Sequence, residues 1–188
     1  MLWAILSVLS GLGDAVIFAL MKRLKGVNNT VTVWVQFAFA LPFLAVMLYF
    51  NYPQAINPHV YWLAVPSGIL LIISTFLLLK AIRISRLSVS LPLISLTPLF
   101  LLIISYFVLK EVPTKFGLIG VGLIVAGAYI LNLKSHHGLF TPFKSLLTVK
   151  GSFYVIIVAF IWSITASMIK MGINGSNAIF FTALVCLL

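Results

Sequence analysis

Carboxylates are almost missing from this chain. Asp14 and Glu111 are its only acids among 188 residues, against 12 lysines and arginines. Charged residues of both signs make up 7% of the total, where soluble domains carry about 25%. That is too little charge to cover a water-facing surface, which excludes an ordinary soluble domain. Cys186 is the sole cysteine, so no internal disulfide can form. No Cys/His cluster has metal-ligand spacing: His136 and His137 are adjacent and point in different directions. There is no G-x-S-x-G, no H-E-x-x-H, no phosphate loop and no carboxylate pair. The chain therefore reads as a non-enzyme that needs neither cofactor nor metal.

What is present is apolar. Hydrophobic residues make up 63% of the chain, and the mean hydropathy is +1.24. A bilayer core takes about 20 apolar residues per helix. Six segments meet that length, at residues 2–21, 31–50, 61–79, 87–109, 116–133 and 152–171, and a seventh starts near Asn177. The chain stops at Leu188 inside that seventh segment, and so reads as a fragment of a longer protein. The first segment has no basic residue before it and is followed by MKRLK, which suits a retained membrane helix better than a cleaved signal. The expected fold is all-α, a polytopic transmembrane helix bundle in the cell (plasma) membrane.

The formal charge of +10 is not a nucleic-acid footprint. The cations fall in short clusters between apolar runs, as loop cations that set membrane orientation do. Three Lys/Arg residues flank each of the first, third and fifth connections, while the second, fourth and sixth hold none, two and one. By the positive-inside rule the N-terminus lies outside.

A weak internal repeat appears at an offset of 148 residues, which puts Lys170 on Lys22, Ser163 on Ala15 and Phe180 on Thr32. Each copy runs from an apolar helix through a lysine and an Asn-rich turn into the next helix. This divides the chain into a first five-helix repeat at 1–133, a connecting loop at 134–150 and the start of a second repeat at 151–188. Five is odd, so the second copy enters the membrane inverted, as in many transporters. In the first segment Ser7, Gly11, Ala15 and Ala19 recur every four residues, a spacing that lets helices approach closely.

Few polar groups lie at membrane depth. Burying Asp14 there costs about 2.5–3.5 kcal/mol, so such an acid faces a cavity, pairs, or binds a cation or proton. Gln36 is the other deep amide and the expected hydrogen-bond partner of Asp14. Ser74 in the third segment and Ser95 in the fourth add hydroxyls, and Pro92 and Pro98 predict a kinked, cavity-side fourth helix. Against this stands a purely structural role, with the acid hydrogen-bonded in the bundle and hydroxyls bonded to their own backbone.

The run LLLKAIRISRLSVSLPLISLTPLFLLIISYFVLKEVPTKFGLIGVGLIVAGAYIL, residues 77–131, resembles the EamA domain of the drug/metabolite transporter superfamily. The resemblance rests on Ala81 after the aliphatic end of the third helix, Pro98 within the fourth, Glu111 and Pro113 at the following turn, and Gly117, Gly120 and Gly127 in the fifth. Residues 1–133 look like one such domain, and residues 150–188, with Trp162, Ser163 and Lys170, like the opening of a second. The resemblance implies ten helices, an N-terminus inside, and transport of small metabolites or drugs through a cavity between two repeats. Asp14 departs from the pattern, where a tryptophan or small residue is more usual. The expectation is a transporter whose substrate path is lined by helices 1, 3 and 4 and their second-repeat counterparts; the alternative is a non-transporting helical subunit or channel-like scaffold. A chain that truly ended at Leu188 would need a homodimer to complete the transporter.

Overall fold

A computed structural model describes residues 2–24, 26–85, 92–108, 110, 114–133 and 150–188. Among these residues every regular element is a helix: α1 (Leu2–Arg23), α2 (Asn29–Phe50), α3 (His59–Ile84), α4 (Thr97–Val108), α5 (Lys115–Leu133), α6 (Lys150–Asn174) and α7 (Ala178–Leu187). Helix is the expected answer for apolar runs of this length. A bilayer offers no water to satisfy backbone N–H and C=O groups, so each spanning segment must satisfy its own. Four of the helices, Ala4–Arg23, Asn29–Phe50, His59–Ile84 and Gly151–Asn174, are long and apolar enough to cross a membrane, and shorter apolar helices accompany them. The chain is an integral membrane protein.

The helix ends follow local rules. Asn28 caps α2 by accepting from the Thr30 N–H at 3.0 Å, and Asn177 caps α7 by accepting from the Phe180 N–H at 2.7 Å. Each cap satisfies a donor that a helix N-terminus otherwise leaves unpaired. Helix α3 carries Pro66, which frees a carbonyl one turn upstream. Beside it the Ser67 hydroxyl donates to Leu63 O at 2.7 Å.

The fourth segment differs from the continuous kinked helix that its prolines predict. Residues 92–94 form one helical turn, Ser95 and Leu96 form a bend, and α4 begins only at Thr97. Pro98 therefore lies in the first turn of α4, where a missing N–H costs nothing. The break is stitched by side chains: Ser95 Oγ donates to Pro92 O, and Thr97 Oγ1 to Ile94 O at 2.6 Å.

Helix α3 is the hub. It packs most extensively along α6, which also meets α4, while α7 lies against α2 and α3. Ala81 is fully buried where α3 meets α6, in a cluster with Leu93 and Val155. The two backbones come close near here: a Cβ on Gly151 would meet the Ser85 side chain at 2.4 Å. A second tight approach closes the α6–α7 turn, where a Cβ on Gly172 would fall 2.1 Å from the ring of the fully buried Phe181. Val60, Ala64, Phe180, Phe181 and Val185 form the core there.

Three cations at one end of the bundle have defined partners. Arg83 donates to Val27 O at 2.7 Å, to Leu24 O at 3.0 Å and to Asn29 Oδ1, tying the α1–α2 connection to the end of α3. Lys22 donates to Ser85 O at 2.9 Å. Lys80 lies over the Tyr154 ring at 4.9 Å. At the opposite end Asn177 Nδ2 donates to Asn51 O at 2.7 Å, and the Asn57 N–H to Gly175 O at 2.9 Å.

Candidate functional site

A cavity of about 240 Å³ opens where α1, α2, α3 and α6 meet the turn before α4. Helix α1 contributes Asp14, Ile17, Phe18 and Met21, α2 contributes Gln36, and α3 contributes Thr75 and Leu78. Ile94 and Trp162 complete the wall. The spacing on α1 explains its share: residues 14, 17, 18 and 21 lie on one face of a helix.

The hydrogen bonds around the cavity fix its chemistry. Thr75 Oγ1 donates to Leu71 O at 2.7 Å, so its proton is spent and its oxygen lone pairs remain. The Trp162 indole N–H donates to Ser74 Oγ at 3.0 Å, and Ser74 in turn donates to Leu71 O at 2.9 Å. This relay, buried at Ser74, joins α3 to α6 and holds the indole against the cavity. Asp14 and Gln36 are both exposed within the chain, and among the described residues no hydrogen bond joins them. They share the cavity without pairing.

The four candidate residues thus fall in three places. Asp14 and Gln36 line the cavity directly. Ser74 stands behind it, reaching it through Trp162. Ser95 is not part of the lining, and its hydroxyl is engaged with Pro92 O. Of the residues that carry the family resemblance, Ala81 is a packing position and Pro98 starts α4. Gly117 and Gly127 are exposed, and a Cβ at Gly120 or Gly127 would meet nothing within 4 Å. Glu111 and Pro113 lie outside the described residues, as do residues 134–149 of the expected 134–150 connection.

Trp162 is the residue that sequence reasoning did not bring to the site. A signal existed: the offset that places Lys170 on Lys22 also places Trp162 on Asp14. The two positions that the offset superimposes line one cavity. A larger cavity of about 380 Å³ lies between α2, α3 and α7, with no charged side chain among its described lining residues. No group of three or more His, Cys, Asp or Glu capable of holding a metal occurs among the described residues.

The architecture is that of a polytopic helical membrane protein with a largely apolar pocket between its helices that Asp14, Gln36 and Thr75 make partly polar. Its first 133 residues match the profile of the EamA-like transporter family, and the chain belongs to that family. Neither curated proteins nor solved structures give a significant match.

Proposed function

We propose that the protein moves a small solute across the cell membrane by alternating access, with the α1–α3–α6 cavity as its binding site. The observation that carries this reading is the convergence of Asp14 and Trp162, equivalent under the 148-residue offset, on one pocket. In transporters built from inverted repeats the substrate site lies at the repeat interface near the bilayer midplane. In this reading residues 1–133 are the first repeat, 134–150 the connection and 151–188 the opening of the second. Asp14 carries the charge of the site, Gln36 and Thr75 add hydrogen-bonding groups, and the Ser74–Trp162 bond is the contact across which the two repeats move.

An intramembrane acid that faces a cavity is a functional group by default. Uptake by Asp14→Asn tests the reading. The expected result is at least a tenfold loss of uptake with the protein still inserted and folded. Undiminished uptake with unchanged pH dependence would overturn the role of Asp14.

A further inference from the structure

The lining of the cavity selects for charge. Its acceptors are the Asp14 carboxylate, the Gln36 carbonyl and the Thr75 oxygen. The Thr75 and Trp162 protons are committed to Leu71 O and Ser74 Oγ, which leaves the Gln36 amide as the one free side-chain donor among the described residues of the wall. Among the described residues no lysine or arginine lines it. Of the cations at the nearby helix ends, Lys22 is engaged on Ser85 O and Arg83 on Val27 O and Leu24 O. Among the described residues Asp14 has no ion-pair partner.

An anion entering this pocket would meet a carboxylate with no compensating positive charge among the described residues of the wall. A polyhydroxylated neutral solute would find too few donors for its oxygens. A cation would find the carboxylate, and two aromatic side chains, Phe18 and Trp162, whose ring faces attract positive charge. The remaining wall, Ile17, Met21, Leu78 and Ile94, is apolar. A coupling proton alone would need no such volume. The cavity, at about 240 Å³, is smaller than the roughly 300–1,000 Å³ of pockets for drug-sized ligands.

We infer that the cavity binds a small monovalent organic cation, an amine whose ammonium group pairs with Asp14 and whose apolar body packs against Phe18 and Trp162. This rests on the transport reading above for its biological role, but the binding specificity is separable from transport.

The test is calorimetric titration of the full chain in lipid nanodiscs with four probes: 2-phenylethylammonium, its neutral analogue 2-phenylethanol, the anion 3-phenylpropanoate, and the bulkier cation tetraphenylphosphonium. The expected ranking puts 2-phenylethylammonium at least tenfold tighter than the alcohol and the bulky cation, with no binding of the anion. Asp14→Asn should bring ammonium and alcohol within about threefold of each other, and Asp14→Glu should keep the preference. Equal affinity of the wild-type protein for ammonium and alcohol overturns the inference, as does an ammonium preference that survives in folded Asp14→Asn. If that variant does not fold, the wild-type ranking alone decides. Counterflow of the same probes in proteoliposomes separates the two claims. Selective ammonium binding without counterflow of any probe sinks the transport reading and leaves the cation site standing. Counterflow of the alcohol without ammonium preference does the reverse.

Discussion

The 148-residue offset lays α6 on α1 in the sequence, yet the two helices live in different surroundings. The offset aligns Gly11, Ala15 and Ala19 of α1 with Ala159, Ser163 and Ser167 of α6. In α6 all three are buried, on the helix that packs most extensively against α3. In α1 all three are exposed, and a Cβ on Gly11 would meet nothing within 4 Å. Over their best spanning windows α6 is 39% buried and α1 only 6%. A stripe of small residues thus permits close approach without supplying the partner. The partner of α6 is α3, brought there by the Trp162–Ser74 bond and by Leu78, Ile82 and Val158 packing together.

Substitutions can break this contrast. The largest effect belongs to Phe181, fully buried beneath Gly172. Phe181→Ala should cost about 3–5 kcal/mol, read as a lowered thermal midpoint in detergent. Next comes the stripe itself. Ser163→Leu forces extra volume into the packed side of α6 and should cost about 1–3 kcal/mol, while Ala15→Leu at the equivalent place on α1 should leave the midpoint unchanged in this chain. Equal losses at both positions would mean that α1 is packed as α6 is. The smallest effect is at Ser74. Ser74→Ala removes the acceptor of the Trp162 N–H and should cost about 1 kcal/mol, with the indole free to rotate and its fluorescence shifted.

The helices were legible in the sequence because an apolar run of about 20 residues has few alternatives to a helix in a bilayer. The break at Ser95 and Leu96 was not. Pro92 and Pro98 signalled a disturbance, but whether a proline kinks a helix or starts one depends on where the next turn closes its hydrogen bonds. Contacts between helices were legible least. Membrane helices are apolar on every side, so hydropathy does not reveal which face has a neighbour. That is why the small-residue stripe of α1 looked like a packing face, whereas Gly151 and Gly172 make the tight approaches. At the site, Asp14 and Gln36 stood out as polar groups at depth. Trp162 did not, since an aromatic in a membrane helix is more often an anchor, and only its partnership with Ser74 turns it toward the cavity. Ser95, similar to Ser74 in sequence, serves the backbone at the α4 break.

The central claim is that the α1–α3–α6 cavity is a water-reachable solute site. Thiol accessibility measures it most directly, using Thr75→Cys and Ser95→Cys in a Cys186→Ser background with a membrane-impermeant reagent. Thr75 lines the cavity and Ser95 does not. The account predicts that the thiol at position 75 reacts at least tenfold faster than the one at 95 and is protected by 2-phenylethylammonium. An inert thiol at 75, or equal rates at the two positions, would contradict it.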